Sequence, residues 1–230
     1  GGHRGSAGQT VMTAGLLFAL LLCLTGCGSA GQPETDEAPA YLVAVTAGET
    51  SGSGILYQQD DAYLYVLTAA HVVSCMNPGT AAVLRFFDGQ ELYCGDIRIS
   101  EVSDLALIRI PADRISERQR NACLCVPSDK ESFDRLQTGD GCTAIGLHAE
   151  SGALRHEGHI LEPWIYMEDY GQYMIWADAE VRPGMSGGGL LDQEGRLIGI
   201  LSGGSQDGEL AAVPLSLILQ FMEDMDCASR

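Results

Sequence analysis

From Tyr41 onward the chain is a succession of short β-prone runs, each too brief for a helix and each closed by a turn. Tyr41–Thr46, Tyr63–Leu67, Ala81–Phe87, Leu105–Ile110, Thr143–Gly146, Tyr173–Trp176 and Leu197–Leu201 are rich in Val, Ile, Leu and Tyr. Asp88-Gly89, Asp140-Gly141 and Glu194-Gly195 punctuate them with dipeptides that suit hairpins and tight turns. Strands at this spacing, with no helical period between them, predict an all-β sandwich or barrel. One helix is expected near the C-terminus. There Leu215, Ile218, Leu219 and Met222 recur at i, i+3, i+4 and i+7, with Pro214 and Ser216 at the start. The polar stretch Pro111–Asp134 is expected to link two halves.

The N-terminal segment reads differently. His3 and Arg4 precede an apolar run from Val11 to Leu24, followed by Leu24-Thr25-Gly26-Cys27. The run is short for a bilayer-spanning helix, and its length fits the core of a signal peptide. The four-residue ending resembles the bacterial lipobox. That resemblance implies removal of residues 1–26 and diacylation of Cys27, an ordinary signal peptide with an incidental cysteine being the plainer alternative. Residues 27–40 are small, polar and acidic and read as a flexible tether. Residues 41–230 then form the folded domain, held outside a bacterial membrane by the lipid.

Thirteen Lys and Arg against 31 Asp and Glu give a formal net charge of −18. Phosphate binding needs clustered cations, so a nucleic-acid partner is not expected. The acidity serves solubility on the plain reading and steers basic substrates on the sharper one. Of the eight cysteines, Cys23 lies in the signal and Cys27 at the lipidation site. Cys75, Cys94, Cys123, Cys125, Cys142 and Cys227 remain in the exported part, where disulfides of undetermined pairing are expected. Cys123-Leu124-Cys125 has the wrong spacing for a zinc knuckle, and His148, His156 and His159 lack suitably spaced carboxylates. No metal or other cofactor is expected.

Three segments carry chemistry together. Leu67-Thr68-Ala69-Ala70-His71 delivers a histidine from a strand end into a turn of small residues. Ser103-Asp104-Leu105 sets an aspartate just before an apolar strand. Gly184-Met185-Ser186-Gly187-Gly188-Gly189 sets a serine in a glycine-rich turn. A serine hydroxyl is a poor nucleophile until an adjacent base takes its proton. Imidazole, with an ordinary pKa of about 6.5, is largely neutral at pH 7 and able to accept. A buried carboxylate would fix its tautomer and stabilise the imidazolium formed during attack. The glycines let the backbone bend so that the Gly184 and Ser186 N–H groups face a developing oxyanion, each such donor lowering the barrier by about 3 kcal/mol.

Thr68-Ala69-Ala70-His71, Ser103-Asp104-Leu105-Ala106 and Gly184-Met185-Ser186-Gly187-Gly188 resemble the signature blocks of trypsin-like serine proteases. The nearer likeness is to bacterial HtrA-like members, here expected without a PDZ module. Ser51-Gly52-Ser53-Gly54, Ala177-Asp178-Ala179 and Ala212-Val213-Pro214 are supporting echoes. The resemblance spans about Val43 to Met225. It implies two six-stranded antiparallel β-barrels with a C-terminal helix, peptide-bond hydrolysis, protein or peptide substrates, and a triad of His71, Asp104 and Ser186. It also implies a specificity pocket walled by the residues leading to Ser186 and by Ser202, Gly203 and Gly204. Glu180 falls near the pocket base, where it would favour Arg or Lys substrates, or else faces solvent. Met185 departs from the family's usual Asp or Asn before the nucleophile. A catalytically silent binding module of the same fold and an esterase with the same triad are the rival readings.

Overall fold

The computed structural model describes residues 38–228 apart from Pro78, Glu150 and Gln206, with side chains described as far as Met225. The expected signal, Cys27 and all but the end of the tether lie outside this range. The first half is an antiparallel sheet of β1 (Leu42–Ala47), β2 (Thr50–Gln59), β3 (Tyr63–Thr68), β4 (Ala82–Arg85), β5 (Glu91–Cys94), β6 (Ile97–Ile99) and β7 (Ala106–Pro111). The second half comprises β8 (Gly141–His148), β9 (Gly152–Met167), β10 (Gln172–Ala177), β11 (Gly189–Asp192), β12 (Leu197–Gly204) and β13 (Leu210–Pro214). It closes as a six-stranded barrel in the order β10-β13-β12-β11-β8-β9.

Closure of the barrel depends on β9. Its first half, Gly152 to His159, pairs with β8, and its second half, Ile160 to Met167, pairs with β10. One long strand serving two partners in succession removes the free edges that an open sheet would expose.

The first half departs from the expected closed six-stranded barrel. It is a seven-stranded sheet in the order β5-β4-β1-β2-β3-β7-β6. The physical reason lies at Gly95-Asp96, the two residues that join its outermost strands. So short a link between opposite edges requires the sheet to curl on itself. The Arg109 N–H donates to the Asp96 carbonyl at 3.0 Å, and Cys94 Sγ donates to the Arg109 carbonyl at 2.9 Å. The Asp96 carboxylate takes two further bonds from the Arg109 guanidinium. Chain continuity and this corner bring the edges together, in place of a full ladder.

Each half has its own apolar core, and the cores meet. Val43, Val45, Leu56, Leu64, Val66, Leu84 and Ile108 fill the first. Leu42, Ile55, Leu67 and Leu107 of the same sheet, with Leu105 just before β7, pack instead with Ile145, Ile175, Leu190, Ile200 and Ala212 of the barrel. The link is less polar in effect than its composition implies. It carries α2 (Glu117–Ala122), closed by a Ser116/Gln119 capping box, and α3 (Lys130–Phe133), capped by Asp129. Ile115 and Cys123 pack in the first core, while Val126 and Phe133 pack in the second. The C-terminal helix, α4 (Leu215–Ala228), buries Leu215, Ile218 and Phe221 against the barrel.

The disulfide expectation fails for every cysteine whose side chain is described. Cys75, Cys94, Cys123, Cys125 and Cys142 are free thiols. Cys94, Cys123 and Cys142 are buried as small apolar residues of the two cores. Burial pushes Cys123 up to about 11 and Cys142 up to about 12, which makes them poor nucleophiles. The side chain of Cys227 lies outside the described residues.

Candidate active site

His71 stands on α1 (Ala70–Val73), a single helical turn that follows β3, rather than in an open turn. No side chain caps this turn at Ala69; burial of Ala69, Val72 and Val73 holds it in the first core. Asp104 ends the loop before β7. That loop is organised by Ser100, whose Oγ accepts the Val102 and Ser103 N–H groups and whose own N–H bonds the Leu105 carbonyl.

Asp104 grips His71 at two points. Its Oδ1 accepts the His71 backbone N–H at 2.9 Å, and its Oδ2 lies 2.8 Å from Nδ1. The side chain of His71 is 47% exposed against 19% for Asp104, so the ring is reachable while the carboxylate is shielded. The bond to Asp104 raises the His71 pKa above its usual value; burial opposes the rise, and the Asp104 charge adds to it. Burial acts to raise Asp104, but the His71 bonds and charge outweigh it and hold the carboxyl below its usual range, with a small contribution from Ser202. With Nδ1 committed to Asp104, Nε2 is the ring nitrogen left to accept a further proton.

Ser186 lies in the loop between β10 and β11. Its Oγ donates to the Ser202 carbonyl at 3.3 Å, and no hydrogen bond joins it to the His71 ring among the described residues. Ser202 therefore adjoins both bonded pairs, its carbonyl at Ser186 and its buried hydroxyl near Asp104, though outside regular hydrogen-bond geometry. The N–H groups of Gly184 and Ser186 take no partner among the described residues. Gly184 has φ +96°, and a Cβ there would stand 2.7 Å from the Leu147 carbonyl oxygen, so only glycine fits. Met185 is fully buried in the barrel core, and its Sδ accepts the Arg182 N–H at 3.3 Å.

Ser53 was legible only as part of a glycine-serine echo, and it proves central. Its Oγ donates to the Gly184 carbonyl at 2.7 Å and accepts the Leu147 N–H at 2.7 Å. Its N–H bonds the Ser186 carbonyl at 2.7 Å, and its carbonyl accepts from Thr68 Oγ1 at 2.7 Å. Ser53 thus fixes the Gly184–Met185 peptide, and with it the aim of the neighbouring N–H groups.

A pocket of about 230 Å3 opens beside Ser186, between Val181, Arg182 and Pro183 on one side and Leu201, Gly203 and Gly204 on the other. Gly203 and Gly204 line it; Ser202 does not. Glu180 lies outside the lining, is half-exposed and accepts from Arg182 Nε at 2.8 Å, which holds its carboxyl below the usual range. The neighbouring guanidinium offers it a partner in solvent, and Val181 takes the wall instead. His159 lies 3.6 Å from Asp178, and no group of three or more His, Cys, Asp or Glu able to hold a metal occurs among the described residues.

Residues 52–200 match the trypsin-like peptidase domain. The chain belongs to that family. It is 27% identical over 160 residues to a serine protease Do-like HtrA of Bacillus subtilis, covering 66% of this chain and 33% of the relative. It is 27% identical over 216 residues to a probable periplasmic serine endoprotease DegP-like of Hahella chejuensis, covering 85% and 42% respectively. The chain thus spans less than half the length of these curated relatives. The crystal structure of the serine endoprotease from Yersinia pestis shares the fold, with a TM-score of 0.64, 24% identity, and coverage of 84% of this chain and 65% of that one.

Three outcomes follow from this geometry. With His71 as the base of the peptide hydrolysis proposed below, kcat/KM against pH should rise through an apparent pKa above about 6.5, because the base must be neutral and His71 is shifted upward. Asp104→Asn should move that limb downward and cut kcat by about 10^4-fold; an unmoved limb would contradict the assignment. Ser53→Ala should lower kcat by about 10^2-fold while KM changes little, since the oxyanion donors lose their aim. Unchanged kcat in a folded Ser53→Ala protein, checked by Tm, would remove Ser53 from this role.

Proposed function

We propose that this protein is a serine endopeptidase that cleaves peptide bonds through an acyl-enzyme on Ser186. The single observation that carries the reading is the two-point grip of Asp104 on His71, next to a serine loop with two unengaged N–H groups. Asp104 orients the ring; His71 Nε2 takes the Ser186 proton as Oγ adds to the substrate carbonyl. The oxyanion is received by the Gly184 and Ser186 N–H groups. His71 then passes that proton to the departing amine, and water, deprotonated by the same nitrogen, releases the acyl group. For this, Ser186 Oγ turns from the Ser202 carbonyl, giving up a 3.3 Å bond that is long.

The lining of Val181, Pro183 and Leu201 favours a small apolar side chain before the cleaved bond. Arg182 of the lining is paired with Glu180, which lies outside it, and no carboxylate among the described lining residues recruits Arg or Lys. The names of the relatives, serine protease and periplasmic serine endoprotease, agree with protein or peptide substrates outside the cytoplasm. The lipobox-like Leu24-Thr25-Gly26-Cys27 adds a lipid anchor on Cys27, with 27–40 as tether. A nucleic-acid partner stays excluded from the reading on charge.

The second reading, a catalytically silent binding lipoprotein, draws on the Ser186 hydroxyl being bonded to Ser202 rather than to His71. A fluorophosphonate probe separates the two. Covalent labelling of Ser186, with peptide cleavage abolished by Ser186→Ala, is expected; an unlabelled, folded protein would leave only the silent reading. For the anchor, Cys27→Ser should move the protein from the membrane to the soluble fraction. Retention of that variant with the membrane would overturn lipidation at this site.

A further inference from the structure

The turn between β9 and β10 carries a tyrosine whose position this reaction does not yet use. Glu168, Asp169, Tyr170 and Gly171 form the turn, closed by bonds from the Tyr170 and Gly171 N–H groups to the Met167 carbonyl. Tyr170 is 38% exposed, and its side chain leaves the turn to stand over Gly203. A Cβ built on Gly203 would lie 2.6 Å from the Tyr170 hydroxyl oxygen and 3.8 Å from Cζ. The phenol thus occupies the space that a side chain at 203 would fill. On the adjoining residue, a Cβ would instead overlap the Val181 side chain, which faces the pocket. Successive residues of a strand point to opposite faces, so the Gly204 face holds the pocket and the Gly203 face holds Tyr170.

A substrate strand laid along Ser202–Gly204 alternates in the same way. The residue before the cleaved bond sends its side chain into the pocket; its upstream neighbour sends its own to the other face. We propose that Tyr170 walls the subsite for that upstream neighbour, the second residue before the cleaved bond, and restricts it to small side chains. This rests on the peptidase reading above. The phenol is also close to Asp104: burial first, then the charges of Asp104 and Asp169, raise its ionisation above the usual value and keep it a neutral donor. Its hydroxyl takes no partner among the described residues. A bulky side chain would have to displace the ring, and an acidic one would in addition face Asp104 and Asp169.

The test uses the full-length protein and fluorogenic peptides that differ only at the second residue before the cleaved bond. The wild-type protein should prefer Gly, Ala or Ser there over Leu or Phe by about tenfold in kcat/KM, the scale expected when a pocket lacks room for added methylenes. Tyr170→Ala should erase that ratio, chiefly by lowering KM for the bulky peptides, and Tyr170→Phe should preserve it. An unaltered ratio in Tyr170→Ala, or a gain of equal size on every peptide, would overturn the proposal while leaving the peptidase reading intact. If wild-type Ser186 neither labels with fluorophosphonate nor cleaves, both fall together.

Discussion

The serine loop is held in shape from outside itself, by one buried residue of the opposite half. Ser53 sits in β2, and its four polar connections reach Gly184, Ser186, Leu147 and Thr68. A hydroxyl has one proton to give and lone pairs to receive, and here both capacities are spent on backbone groups whose direction matters. Inside a dry interface each of these groups would be costly if left unpaired, about 1–3 kcal/mol apiece, so the arrangement is fixed by the penalty for breaking it. Gly187 completes the fit: its φ is +83°, and a Cβ there would overlap the Ser53 carbonyl and Thr68 Oγ1. Small residues are required wherever the loop crosses β2 because the two backbones approach so closely.

The proposed triad is a product of the seam between the halves. His71 and Asp104 come from the curled sheet, while Ser186, Ser202 and the Gly184 N–H come from the barrel. The seam is stiff because Leu42, Ile55, Leu67, Leu105 and Leu107 leave their own sheet's core to pack in the barrel's. The chain reinforces it twice more, through the Val126 N–H on the Leu56 carbonyl and the Leu197 N–H on the Pro127 carbonyl. Those two bonds tie the link to one strand of each half.

How much of this the sequence disclosed depends on the range of each interaction. His71, Asp104 and Ser186 were legible because their chemistry demands particular residue types, set in recognisable local runs at strand ends. Ser53 and Tyr170 were not, because their roles arise from contacts across 131 residues to Gly184 and across a fold to Gly203. β2 is not among the expected strands, since Ser51-Gly52-Ser53-Gly54 has the small, polar composition of a turn. Its glycines answer to Val72 and the Ser186 carbonyl at Gly52, and to Val66 and Val45 at Gly54. β9 was hidden for a different reason: His156 and Gly158 stand at its less exposed positions, where apolar residues would have marked a strand by alternation. Compartment reasoning misjudged the cysteines, since a thiol in an apolar core satisfies packing without any bridge.

Charge and selectivity separate along the same lines. An overall charge of −18 acts at long range and is screened within about 8 Å at physiological salt. Within the pocket, the only charged lining residue is a cation, Arg182, already paired with Glu180. An acidic surface can therefore gather basic polypeptides without any cationic preference at the bond that is cut. Recognition at that bond would then rest on shape, with Val181 limiting one face of the strand Ser202–Gly204 and Tyr170 the other. Two adjacent glycines make such a division possible, because each leaves its face to be filled by a side chain from elsewhere in the barrel.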